Sequence, residues 1–219
     1  MIILYTPMLW RIKITLFTFL SIILSVTNAF SFPGMVRSHN IRIEFDLKNH
    51  SIDAVDRLMT SVTGKNEVTF SIHNNVSIGG IREVNGKELD YFIRSVKDQK
   101  DVTVRIPVNK SVIELEIHYR CRFPDLPRDV KFSREFLSDK PVVYAGDEII
   151  LLDGSACWYP CVDGFSTFNV TAVTPSGYEV VMEGTRVSRV EKNGVMLTTW
   201  DFPHPVGGIY LIGDRKSVV

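Results

Sequence analysis

Along most of this chain apolar and polar residues alternate one by one. In IRIEFDL, Ile41, Ile43, Phe45 and Leu47 fall in one phase and Arg42, Glu44 and Asp46 in the other, the two-residue period of a strand with one buried face. The period recurs at Val68, Phe70 and Ile72, at Val102, Val104 and Ile106, and over a long run from Ile113 through Leu115, Ile117, Tyr119 and Cys121 to Phe123. Turn residues punctuate these runs: TGKN at 63–66, NGKE at 85–88, PSGY at 175–178 and KNG at 192–194. Beyond residue 164 the segments TFNVTAV, YEVVMEG, TRVSRV and VMLTTWDF are again short and turn-bounded. PDLPRDVKFSREFLSDK, residues 124–140, reads as a charged, proline-containing loop with at most one helical turn. After the N-terminal leader no segment sustains a 3.6-residue apolar period. The pattern predicts an all-β fold of antiparallel sheets packed as a sandwich or saddle.

The N-terminus departs from this alternation. Arg11 and Lys13 precede an apolar run, Ile14 to Val26, followed by small residues at Ala29 and Ser31, the three-part order of a secretory signal peptide. Cleavage after Ala29 or after Ser31 fits. The run is shorter than the ~20 residues of a spanning helix, and Ser21, Ser25 and Asn28 interrupt it; an uncleaved membrane anchor is the alternative. The expected organisation is a signal peptide over residues 1–31 and one β domain over residues 32–219. The exported chain is expected in a periplasm or outside the cell.

The 219 residues carry 25 basic and 25 acidic side chains, so no long-range field favours nucleic acid or an anionic membrane as a partner. Removing residues 1–31 takes away Arg11 and Lys13 and no acid, which leaves a mildly acidic domain. The histidines, His39, His50, His73, His118 and His204, are scattered singly, and neither H-E-x-x-H nor a paired C-x-x-C occurs, so no metal site is expected. A G-x-S-x-G elbow and a glycine-rich phosphate loop are also missing. Cys121 falls in the apolar phase of its strand and reads as a buried thiol. Cys157 and Cys161 would stand ~13 Å apart in an extended strand, too far to bridge, and come together only if the intervening WYP turns sharply.

Those two cysteines belong to the densest cluster of unusual residues, SACWYPCVDG at 155–164. Extended to Gly184, the stretch SACWYPCVDGFSTFNVTAVTPSGYEVVMEG resembles a segment in the N-terminal β domain of the aminopeptidase N family of zinc metallopeptidases. There an A-R-x-x-F-P-C-x-D-E-P run precedes a K-A-x-F strand and a P-x-G hairpin. Tyr159, Pro160, Cys161 and Asp163 take the F-P-C-x-D places, Phe168 the strand phenylalanine, and Pro175, Gly177 and Gly184 the hairpin. HNIRIEFDLKNHSIDAVDRLMTSV is similar to the family's opening hairpin, and LEIHYRCRF to a later long strand. The resemblance covers residues 39 to about 213.

In that family the chemistry belongs to a following domain with a G-x-M-E-N loop and H-E-x-x-H, and this sequence contains neither. The resemblance therefore implies a non-catalytic β domain, incomplete at its C-terminus, from a truncated or split peptidase gene. Zinc would belong to the catalytic domain, and a separately encoded catalytic domain is the implied partner. Counting back from Pro160, Ile149 and Leu151 occupy places where the family holds the substrate's free amino group, and they are apolar. Gly164 and Phe165 stand where the family has E-P. No catalytic, metal or substrate-binding residue is assigned; Trp158, Tyr159, Pro160, Cys161, Asp163 and Phe168 are expected to form a structural corner. The rival reading is a secreted binding or adhesion module presenting Trp158, Tyr159 and Trp200 on a flat aromatic face.

Overall fold

A computed structural model describes residues 36–62, 65–107, 110–124, 142–162 and 164–215. The leader, most of the 124–140 loop and Asp163 lie outside the described residues. Among the described residues the alternating segments become fourteen strands: β1 (Val36–Asp46), β2 (Ser51–Ser61), β3 (Glu67–His73), β4 (Val76–Glu83), β5 (Tyr91–Val96), β6 (Gln99–Arg105), β7 (Val112–Arg122), β8 (Val143–Ala145), β9 (Ile149–Leu152), β10 (Ser166–Pro175), β11 (Tyr178–Val181), β12 (Thr185–Lys192), β13 (Val195–Val206) and β14 (Leu211–Arg215). The helical elements among the described residues are two single 3₁₀ turns, Leu47–Asn49 and Gly154–Ala156.

The strands form a seven-stranded sheet in the order β12-β13-β10-β1-β2-β7-β4, a four-stranded sheet β11-β14-β9-β8 and a three-stranded sheet β3-β6-β5. Buried side chains of all three sheets join one apolar cluster. β1 and β2 are the expected opening hairpin, closed by the Leu47–Asn49 turn, where Asp46 accepts from the Asn49 amide. At the other end Asn193 and Gly194, with φ 53° and 79°, turn β12 into β13; both angles suit the two-residue hairpin turn that N-G favours.

Two features differ from the expectation of antiparallel hairpins. β1 pairs in parallel with β10, Ser38 opposite Thr167 through Glu44 opposite Val173, so the large sheet is mixed. The turn at Ser176-Gly177 joins β10 of the large sheet to β11 of the four-stranded sheet, and PSGY is an inter-sheet corner instead of a hairpin.

Candidate functional site

Asp153 starts the 155–164 cluster by accepting from the amide and the hydroxyl of Ser155, at 2.8 and 2.6 Å, which initiates the Gly154–Ala156 turn. Cys157 ends it in the left-handed region, φ 54° and ψ 49°, an uncommon conformation for a side chain with a Cβ. There the chain reverses, and Trp158 and Tyr159 point inward. Gly154 is required by close approach: a Cβ there would lie 2.6 Å from the carbonyl oxygen of Ile209.

The rings complete a layer on the inner face of the seven-stranded sheet. Trp158 is wholly buried, Tyr159 and Phe168 nearly so, and Trp200 is buried on β13. Tyr159 meets Trp158 edge-on at 4.8 Å between centroids and Phe168 at 5.6 Å, and Phe168 meets Phe202 at 6.1 Å. Pro160 leads to Cys161, whose amide and carbonyl pair with Ser71 on the edge of β3 at 2.8 and 2.7 Å. Tyr159 takes up the Ile209 amide. The corner thus touches the seven-stranded sheet through Phe168, the three-stranded sheet through Ser71, and the Ile209 segment that leads into β14.

Beneath it lies a pair that the sequence reading left among the scattered histidines. His39 stacks on Phe168 at 4.6 Å with the rings nearly parallel, and Tyr159 stands edge-on to it at 5.4 Å. His39 Nδ1 lies 2.7 Å from Asp56 Oδ2, with both side chains essentially closed to solvent. Burial pushes the Asp56 carboxyl above the usual carboxylate range, and His39 opposes that shift. Asp56 Oδ1 and the Tyr119 hydroxyl are buried without hydrogen-bond partners. The available signal was phase: His39 shares the apolar phase of Ile41 and Ile43, and Asp56 that of Ile52, Ala54 and Leu58.

A nearby cysteine, a histidine and an aspartate raise the question of a thiol nucleophile. A catalytic thiol is made acidic by its surroundings. The Cys161 thiol is instead pushed well above the usual range, by its contact with the Cys157 thiol and by burial. The rings of Tyr159 and Phe168 also cover His39. Among the described residues no group of three or more His, Cys, Asp or Glu is placed to hold a metal ion.

The outward faces are of two kinds. On the large sheet Glu116 receives Arg57 and Arg82 at 2.9 Å, and His118 Nε2 lies 2.8 Å from the same carboxylate. His118, first, and the two guanidinium groups hold the Glu116 carboxyl down, from the ordinary 4.5 to about 2. On the four-stranded sheet Val181, Ile212, Leu151 and Tyr144 stand in register across all four strands. Val181 and Ile212 are each more than half exposed. Ile149 and Leu151 are the half-buried, outward residues of β9, while Ile150 and Leu152 enter the core.

No protein-family model matches the sequence, and no curated protein sequence matches it. Solved structures do. An M1 zinc metallopeptidase from Deinococcus radiodurans superposes with a TM-score of 0.64 at 15% identity, over 84% of this chain and 44% of the peptidase. Yeast LTA4 hydrolase in complex with bestatin superposes with a TM-score of 0.56 at 12% identity, over 86% of this chain and 31% of the hydrolase. The chain therefore has the fold of the N-terminal β domain of M1 metallopeptidases, and it spans less than half the length of these neighbours.

Proposed function

We propose that this chain is a non-catalytic β domain that packs against the zinc-binding catalytic domain of a metallopeptidase and shapes its substrate cleft. The fold match over 84% of this chain and only 44% of the peptidase carries the reading. The apolar outward row Val181, Ile212 and Leu151 supports it, because a row of this kind gains most from being covered. Ile149 and Leu151 supply no acceptor for an ammonium group, so a free amino terminus would have to be held elsewhere. Burial of Trp158, Tyr159 and Trp200 removes the flat aromatic face on which the adhesion-module reading relied.

Export belongs to the same proposal and rests on Arg11, Lys13 and the Ile14 to Val26 run. N-terminal sequencing of the mature protein should then begin near Phe30 or Phe32, and retention of Met1 or Met8 in a soluble cytoplasmic protein overturns export.

Two experiments test the peptidase reading. Purified protein incubated with aminoacyl nitroanilides should release no chromophore, with or without added zinc; turnover that survives repurification and is stopped by a chelator overturns the non-catalytic assignment. Sequencing the gene beyond the Val219 codon should find H-E-x-x-H, in frame or after a frameshift. Its absence there, and from any neighbouring gene, counts against a peptidase partner.

A further inference from the structure

The strongest feature not absorbed by the function is the spacing imposed on Cys157 and Cys161. Two amides of β3, Ser71 and His73, donate to the carbonyls of Cys161 and Cys157 at 2.7 and 2.8 Å. Ser71 and His73 are two positions apart in a strand, which is roughly 6.6 Å. The β3 edge therefore acts as a ruler, holding the two cysteine backbones at about half their extended separation and near the ~7 Å within which a disulfide closes. The two cysteines also share the Gly154 carbonyl. It accepts from the Cys157 amide at 3.1 Å and from the Cys161 thiol at 3.8 Å. The left-handed Cys157 makes this reversal, and Gln99 Nε2 donates to the Cys157 sulfur at 3.4 Å from the neighbouring strand β6.

We propose that Cys157 and Cys161 are an oxidisable pair, which closes the loop Cys-Trp-Tyr-Pro-Cys as a disulfide and staples the corner in place. The oxidant is a small-molecule disulfide of the oxidised-glutathione class. The Cys161 sulfur, having given up its proton, attacks one sulfur of the oxidant and expels a thiolate, which takes up a proton. The deprotonated Cys157 sulfur then attacks Cys161 in the mixed disulfide and expels the second thiolate, which is protonated in turn. Two cysteine thiols lose two electrons, and one external disulfide becomes two thiols.

Cys161 is the entry point because it is partly exposed, whereas Cys157 is buried. Its raised thiol makes the first step slow at neutral pH, and the rate should rise ~tenfold per pH unit while the thiol remains mostly protonated. Cys121 cannot compete. It is buried on β7, opposite Ile52 and Val76, and burial pushes its thiol up to about 12.

The test is oxidation of the purified chain with oxidised glutathione at mildly alkaline pH, followed by intact mass and maleimide labelling in denaturant without reductant. The expected result is a loss of about 2 Da, the mass of two hydrogens, with Cys121 alone still labelled. The thermal midpoint should rise by roughly 4–8 °C, reversibly with dithiothreitol, the gain that so short a loop gives a domain of this size. Cys161→Ser should show no such mass loss. Should that variant fail to fold, Cys121→Ser retains the pair and must lose the same mass. Three labelled thiols after oxidation, a bridge that includes Cys121, or a midpoint lowered by oxidation would each overturn the proposal.

Discussion

The two faces of β1, β2 and β7 carry similar charged residues into opposite surroundings. Inward, one pair, His39–Asp56, is sealed beneath Phe168 and Tyr159. Outward, Arg42–Glu44, Arg120–Asp53 and the Arg57–Glu116–Arg82 group stand against solvent. The outer face has more ion pairs and less stability resting on each. An exposed pair gains little, because water and salt screen it and its long side chains lose freedom. A buried pair already carries the cost of leaving water, so removing one partner strands the other. Burial, not the number of pairs, should therefore decide which substitutions the fold feels.

The largest break in the inner face should come from the ring that packs on Tyr159. Trp158→Ala removes a wholly buried side chain, and such truncations cost about 3–5 kcal/mol of the ~5–15 kcal/mol a domain holds. A sharply lower urea midpoint, or loss of soluble protein, is the expected outcome. An unchanged midpoint would remove the corner from any structural role.

Asp56→Ala should come next, at about 3 kcal/mol, by leaving His39 buried beside a void. Replacing both members with leucine should recover most of that loss, since two apolar side chains need no partners. If the double variant is no better than Asp56→Ala, the pair's cost is not one of stranded charge.

The outer face yields smaller effects with a distinct pH signature. Glu116 titrates lower in the folded chain than in the unfolded one, so on acidification the unfolded chain takes up this proton first. Its stabilising contribution is complete above pH 4.5 and is lost as the pH falls towards about 2. Urea midpoints measured between pH 6 and pH 3 should fall less steeply for Glu116→Gln than for the parent. A parallel decline in both proteins would show that the Arg57, Arg82 and His118 contacts do not persist in solution.

Smallest of all is Arg120→Ala. It should leave the midpoint within error, because both members of the Arg120–Asp53 pair are at least half exposed. A clear loss there would erase the contrast between the faces.

Much of this architecture is visible in the alternation itself, because a strand with one wet face writes its period directly into the residues. Ile113 to Phe123 and Ile41 to Phe45 needed nothing more. Partner choice is another matter: nothing local to His39 or Phe168 announces that their strands lie side by side in parallel. The His39–Asp56 pair was hidden for a related reason, since a polar residue in an apolar phase acquires meaning only once the residue facing it is known. The proximity of Cys157 and Cys161 depends on the edge of β3, some ninety residues earlier. The corner's aromatic residues stood out by composition and by resemblance to a peptidase segment, and their burial came only from long-range packing against Phe168 and the Ile209 segment.

The parallel pairing of β1 with β10 has a kinetic meaning. Ser38 cannot meet Thr167, nor His39 stack on Phe168, until the chain has been made through β10. The β1–β2–β7–β4 half of the sheet is made early and must wait with one flank of β1 open, displaying unpaired amides and carbonyls to any passing strand. Closing so long a loop is slow, and slow closure is when exposed edges aggregate. Until β10 arrives, the open flank of β1 is the edge of this sheet most exposed to mispairing.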